Sequence, residues 1–254
     1  MPLPSSQTIG VFSGSSKLVF DALELDGPPT EAEIELETPW GTVSAPPQRV
    51  VMGERTLYVL HRHGAEHSIA PHEINYRANL WLMRELNVEA VVGTHTVGGI
   101  HPDLAVGDLV LPEQLIDYTW GRPSTFDDEL RHIEFSDPYD ATLRRSLMDA
   151  HAAMNEGPRL IAEGVYGVTQ GPRLETAAEI RRMARDGSTV VGMTGMPEAG
   201  LAGELGLAYC SLCLVVNPAA GLTDAPIDLD DLRRASQAGA SAIARLLGAA
   251  FLRL

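Results

Sequence analysis

Residues 90–101 read Ala90-Val91-Val92-Gly93-Thr94-His95-Thr96-Val97-Gly98-Gly99-Ile100-His101. The run opens on small and β-branched residues, which suit a strand covered on both faces. It closes on hydroxyls, imidazoles and glycines, which let backbone and polar groups approach a ligand closely. In parallel α/β sheets, ligands bind beyond the carboxyl ends of such strands. A strand is therefore expected over residues 90–95, with a candidate ligand-binding turn at its end.

Working outward, short β-branched runs alternate with helical patterns, the signature of a layered α/β fold. Further strands are expected at 9–12, 56–61, 165–170, 189–193 and 210–217, and helices at 71–86, 141–154, 175–185, 197–205 and 229–252. Asp228 is a natural N-cap for the last helix. Residues 107–140 are mixed: 109–111 and 115–118 are strand-like, and 121–137 are rich in Gly, Pro, Ser and Asp. No linker, repeat or low-complexity tract interrupts the pattern, so the 254 residues are read as a single α/β domain with a central mixed sheet flanked by helices.

Apolar residues make up 44% of the chain, enough to bury a sizeable core. The formal net charge of −15 repels phosphate backbones and anionic lipids, which disfavours nucleic-acid and membrane-surface partners. The start lacks a basic and apolar leader pattern, and no stretch approaches ~18 uninterrupted apolar residues, so a cytoplasmic protein is expected. Cys210 and Cys213 lie three apart in an expected strand, pointing to opposite faces as two core thiols.

Five turns carry polar residues after expected strands. Gly10-Val-Phe-Ser-Gly-Ser-Ser-Lys17 is a small-residue turn suited to an anion, although its glycines are four apart where a Walker A loop needs five. His61-Arg-His-Gly-Ala-Glu-His67 places a guanidinium among imidazoles, a sensible phosphate clamp. Six of the eight histidines fall between His61 and His101, but no metal-binding helical spacing appears, and no metal is expected. The third turn is 93–101, and the others are Thr169-Gln-Gly-Pro-Arg-Leu-Glu-Thr176 and Val191-Gly-Met-Thr-Gly-Met-Pro-Glu198. Their matching positions suggest one shared anion-plus-ligand pocket; the residues alone do not say that the ligand is a nucleoside.

The ordered series Arg62-His-Gly, Asn75-Tyr-Arg-Ala-Asn79, Gly98-Gly99 with Gly107-Asp-Leu-Val, Gly121-Arg-Pro-Ser, Gly171-Pro-Arg and Val191-Gly-Met-Thr-x-Met-Pro-Glu198 resembles the trimeric purine nucleoside phosphorylase and methylthioadenosine phosphorylase family. The resemblance runs from about Ile9 to Asn217 and implies a homotrimer without metal or organic cofactor, inorganic phosphate being a co-substrate. By resemblance Ser15, Arg62, His63, Thr96 and Thr194 hold phosphate, Met193 contacts ribose, and His132 serves the neighbouring subunit's pocket. The chain departs from the family at Ser13-Gly-Ser-Ser16, at His95 where relatives carry Ser, Thr or Asn, at Thr96, and at Leu174, which replaces a phenylalanine under the base.

The resemblance also frames the substrate. Asn217 and Ala219 stand where adenosine-type members have aspartates, and Glu175 matches the glutamate of 6-oxopurine members. An amide can donate to O6 and serve N7, while a carboxylate can accept from N1–H, so Glu175 and Asn217 are the expected catalytic and base-reading pair. No histidine follows His151, and Leu229 falls near the 5′ position, where an apolar neighbour favours a methylthio group over a hydroxyl. Methylthioinosine is the first expected substrate, inosine or guanosine the second; methylthioadenosine phosphorolysis and a non-catalytic nucleoside- or metal-binding relative are the competing readings.

Overall fold

The computed structural model describes residues 8–15, 18, 25–32, 34–126 and 132–253. Ser16 and Lys17 of the first turn and Arg131 lie outside the described residues. In chain order the elements begin with β1 (Thr8–Ser13), β2 (Thr30–Glu31), β3 (Glu37–Thr38), β4 (Gly41–Thr42), β5 (Gln48–Met52), β6 (Arg55–His61), α1 (Tyr76–Glu85), β7 (Ala90–Gly99), β8 (Leu109–Val110) and β9 (Gln114–Asp117). They continue with α2 (Ala141–Ala152), β10 (Leu160–Ile161), β11 (Val165–Val168), α3 (Ala177–Arg185), β12 (Val190–Gly192), α4 (Glu198–Glu204), β13 (Ala208–Pro218) and α5 (Leu229–Phe251).

The fold is α/β around one mixed sheet, as the sequence pattern predicts. Its main path runs β10-β8-β13-β7-β1-β6-β5-β2, and β9, β11 and β12 branch from it through the pairing of β12 with β7. The central strands β6, β1, β7 and β13 are mutually parallel, while β5 runs antiparallel to β6, β8 to β13 and β12 to β7. Cys210, Leu212, Leu214 and Val216 of β13 join the larger core under the helices, whereas Cys213 and Val215 join a second cluster with Val97, Tyr166 and Val190. The two thiols are thus buried on opposite faces, as period-two alternation requires.

Two element boundaries shift for local reasons. The helix expected over 71–86 starts at Tyr76, because the Asn75 side chain caps it by accepting from the Ala78 N–H at 3.1 Å. The helix expected from 175 starts at Ala177, because Thr176 and Glu179 form a reciprocal capping box. That shift matters for function, since it leaves Glu175 in the turn before the helix. Strand β5, the two-residue β2 at the edge beyond it, and the small hairpin of β3 and β4 were absent from the sequence expectation.

Candidate active site

The sheet forks at β7. Strand β1 pairs with Ala90–Gly93 of β7, and β12 pairs with Gly98 and Gly99, while β13 follows the strand along its whole length. Between the two branches, residues 94–97 have a strand partner on the β13 side alone, and a cavity of about 410 Å³ opens beside them. All five turns singled out in the sequence reach this cavity, and a sixth, following β13, adds Asn217, Ala219 and Ala220.

One wall carries Gly14, Ser15, His63, His95, Thr96 and Thr194. Of the residues expected to hold phosphate, Ser15 is exposed, Thr96 half-buried, and His63 and Thr194 buried. His63 Nδ1 lies 2.9 Å from the Ile69 carbonyl, which can only accept, so this nitrogen carries the proton. Burial, reinforced by the charge of Arg62 and by His67, pushes the His63 pKa down to about 4 against the opposing pull of the Ile69 bond. His63 is therefore a neutral imidazole with a free lone pair on Nε2.

His95, a departure from the family pattern, does enter the cavity. Its Nδ1 is 2.8 Å from Thr194 Oγ1, and its Nε2 is 3.2 Å from Ser211 Oγ and 3.4 Å from the Tyr209 hydroxyl. Tyr209 in turn donates to Glu198 Oε1 at 2.7 Å. Gly93 makes room for this network, because a Cβ there would lie 2.6 Å from Glu198 Oε1 and 2.7 Å from His95 Nε2. Burial first, then the charges of Arg62 and His63, hold the His95 pKa well below the usual imidazole range.

Arg62 requires a correction. An open guanidinium fork was expected, but the side chain is fully buried and absent from the cavity wall. Its Nε and Nη2 clamp Glu198 at 2.9 and 2.8 Å, Nη2 also reaches the Phe12 carbonyl at 3.1 Å, and Nη1 donates to the Thr94 carbonyl at 2.6 Å. Four of five donors are thereby committed to the protein. The reason is packing: β6 ends beside β1, and the side chain runs inward to the Phe12 carbonyl of β1 and the Thr94 carbonyl of β7 beyond it. Its Nη1 nevertheless sits 3.2 Å from the position of a Cβ at Gly14, immediately behind the wall.

The cavity is lined as well by a carboxylate–amide group of residues, Leu174, Glu175, Met193 and Asn217. The Thr169 hydroxyl donates to Glu175 Oε1 at 2.6 Å, which orients the carboxylate and leaves it able to accept again. Asn217 sits at a register shift in β13, and its amide donates to the Pro218 carbonyl at 2.6 Å, leaving one amide hydrogen and the carbonyl oxygen. Gly171, at φ +61°, packs where a Cβ would strike the Met193 sulfur at 2.5 Å, so the Gly-Pro turn and Met193 fit only together. Arg122 ties this side down by donating to the carbonyls of Met193, Met196, Thr169 and Gln170 at 2.5–3.2 Å.

Leu229 is the second correction. It is 57% exposed and lies outside the cavity, at the solvent end of α5. Two nearby apolar residues do line the cavity, Ile227 just before the helix and Leu232 one turn into it, as do Ile69 and Ala70. His132 is exposed and also outside the cavity. Sequence reasoning missed Glu198, Tyr209 and Ser211, whose only signal was a polar residue inside a buried strand or just after a turn. Among the described residues, no group of three or more His, Cys, Asp or Glu side chains is placed to hold a metal ion, and no helix is long and apolar enough to cross a membrane.

A forked α/β sheet with one imidazole–hydroxyl wall and one carboxylate–amide wall is the layout of a nucleoside phosphorylase, a pentosyltransferase. The chain belongs to the phosphorylase superfamily, whose model matches residues 8–252. It is 45% identical over 234 residues to a probable S-methyl-5′-thioinosine phosphorylase of Pseudomonas syringae pv. tomato, covering 89% of this chain and 94% of that protein. It is 40% identical over 227 residues to a 6-oxopurine nucleoside phosphorylase of Pyrococcus furiosus, covering 86% and 84%. In structure it is similar to the methylthioadenosine phosphorylase of Schistosoma mansoni in complex with adenine, with a TM-score of 0.86, 27% identity, and 97% and 91% coverage.

Proposed function

We infer that the chain splits a 6-oxopurine nucleoside with inorganic phosphate, with S-methyl-5′-thioinosine as first substrate, releasing hypoxanthine and 5-methylthioribose 1-phosphate. The observation that carries this reading is that one cavity is lined both by Glu175 and Asn217 and by Ser15, His63, Thr96 and Thr194. A purine against the first pair and an anion against the second leave the sugar between them, beside Met193. Ile227 and Leu232 supply the apolar end that was sought at Leu229. The names borne by the two relatives above point the same way.

In this reading the anomeric carbon gains positive charge as the glycosidic bond weakens, and phosphate beneath it stabilises that charge before attacking. Glu175 and Asn217 bind the departing 6-oxopurine, the carboxylate accepting from N1–H and the amide donating to O6. Arg62 acts from behind the wall through its charge and through the Thr94 carbonyl it holds, without an open fork. No metal or organic cofactor takes part. Three copies form the working unit, with exposed His132 offered to a neighbouring cavity, and the free buried thiols suit the reducing cytoplasm.

The test is phosphate-dependent release of free base from methylthioinosine, inosine, methylthioadenosine and adenosine, offered side by side. Methylthioinosine preferred is the expected result. Inosine preferred would keep the base assignment and remove the 5′ assignment; methylthioadenosine preferred would overturn the roles of Glu175 and Asn217.

A further inference from the structure

Residues 63–69 are closed into a ring by two hydrogen bonds between His63 and Ile69. The Ile69 N–H donates to the His63 carbonyl at 2.9 Å, and His63 Nδ1 donates to the Ile69 carbonyl at 2.9 Å. The direction of the second bond is fixed by chemistry, since a carbonyl can only accept. Within the ring the chain passes through two left-handed residues, Gly64 at φ +81° and His67 at φ +54°. A residue with a side chain stays in that region where its surroundings hold it there. Those surroundings are the Gly64 carbonyl, which accepts from the His67 N–H at 3.1 Å, and the His63 ring, 4.6 Å from the His67 ring between centroids. The Ile69 side chain packs back over the ring, its Cδ1 3.4 Å from the position of a Cβ at Gly64. Beyond the ring the chain is fastened separately: the Ala70 carbonyl accepts from the Glu73 N–H and the Pro71 carbonyl from the Tyr76 hydroxyl of α1, both at 2.9 Å.

Both residues of this clasp line the cavity. The function proposed above, on which this inference rests, assigns His63 to phosphate and the apolar end of the cavity to the 5′ group. Ile69 lines that cavity together with Ile227 and Leu232. We propose that His63 is a positioning residue for the 5′ group: by holding the Ile69 carbonyl it fixes where the Ile69 side chain stands, and so it sets the preference for a methylthio over a hydroxyl substituent. A methylthio group is favoured only while apolar side chains stay in contact with it and exclude water. With the clasp open, residues 64–69 lose one of the two bonds that close them, water enters beside Ile69, and a 5′-hydroxyl is solvated there at less cost. One imidazole thereby serves two ends of the substrate pair, through Nδ1 for the sugar substituent and through its cavity face for the anion.

The experiment measures kcat/KM for methylthioinosine and for inosine, and the KM for phosphate, on the wild-type enzyme and three variants. Asparagine carries its amide nitrogen as far from Cβ as Nδ1 stands, and glutamine as far as Nε2. His63→Gln therefore leaves the Ile69 carbonyl without its donor, and the ratio of methylthioinosine to inosine kcat/KM should fall by about fivefold or more, the effect of one lost hydrogen bond. His63→Asn restores the donor and removes the outer nitrogen, so the ratio should stay near the wild-type value while the KM for phosphate rises. Ile69→Ala keeps the backbone carbonyl and removes the apolar side chain, and should lower the ratio as well. Each His63 variant decides by itself: a His63→Gln enzyme that keeps the wild-type ratio overturns the proposal, and so does a His63→Asn enzyme that loses it several-fold, even if the other variant fails to fold. Either result, with Ile69→Ala lowering the ratio, leaves the proposed function in place. A wild-type enzyme that does not prefer methylthioinosine removes the 5′ assignment and this inference with it.

Discussion

At the imidazole wall, His95 reaches Thr194 across 99 residues of sequence, Ser211 across 116, and Arg62 reaches Glu198 across 136. At the carboxylate wall, Glu175 is oriented by Thr169, six residues away, and Asn217 by its own neighbour Pro218. The hydrogen-bonded part of the first wall is buried and assembled from remote strands, so its side chains are held by partners far apart in the chain. The second is half-open and built within single turns, so one substitution there changes what it recognises without unseating the fold. On the proposed function, the end assigned to phosphate is thus the one cross-linked by remote strands, and the end assigned to the base is the adjustable one.

The largest effect expected from this contrast is on stability. Glu198→Ala leaves the fully buried Arg62 charge without its partner and should cost about 3–5 kcal/mol in chemical denaturation, at an unchanged denaturant slope. Glu175→Ala should cost far less; equal losses at the two walls would break the comparison.

Next is pH. His63 titrates near 6.5 when free and at about 4 in the fold, so between those values the unfolded chain binds more protons than the folded one. Its contribution is present above pH 6.5 and is lost as pH falls toward 4, by up to about 3 kcal/mol. His95 adds in the same direction. His63→Phe should flatten the rise of unfolding free energy across that window, and an unchanged slope would show that the imidazole is not held neutral.

Smaller effects belong to the open wall. Glu175→Gln should lower kcat/KM for a 6-oxopurine nucleoside by about 5- to 150-fold, the range of one mispaired buried polar group, with little change in melting temperature. Asn217→Asp should move preference toward 6-aminopurine nucleosides by about tenfold in relative kcat/KM. Smallest of all, Leu229→Ala should alter stability by no more than about 0.5 kcal/mol and leave the 5′-group preference as it was. Leu232→Ala should change that preference, and the pair of measurements sharpens where the 5′ end lies.

Most strands and helices were legible in the sequence because their periodicity is local: 90–95, 210–217 and the Asp228-capped last helix stand close to where the pattern puts them. Strand β5 and the hairpin of β3 and β4 were not, since short half-exposed strands carry little hydrophobic signal. The cavity-lining turns were legible too, because polar and glycine residues at strand ends are themselves the signal. Leu229 misled because it shares a helical face with Leu232 but stands one turn nearer the exposed start of α5.

The sequence by itself therefore determined the α/β layering and the polar turns that meet at one cavity, both properties of residue type and near spacing, while Glu175 and Asn217 were singled out by resemblance to a known family. Only the tertiary structure decided that β7 is shared by two branches of the sheet, that Arg62 turns inward to Glu198, and that His95 points one nitrogen at Thr194 and the other at Ser211 and Tyr209. The physical reason is that a hydrogen-bond direction belongs to both partners, and these partners meet only when strands far apart in the chain lie side by side.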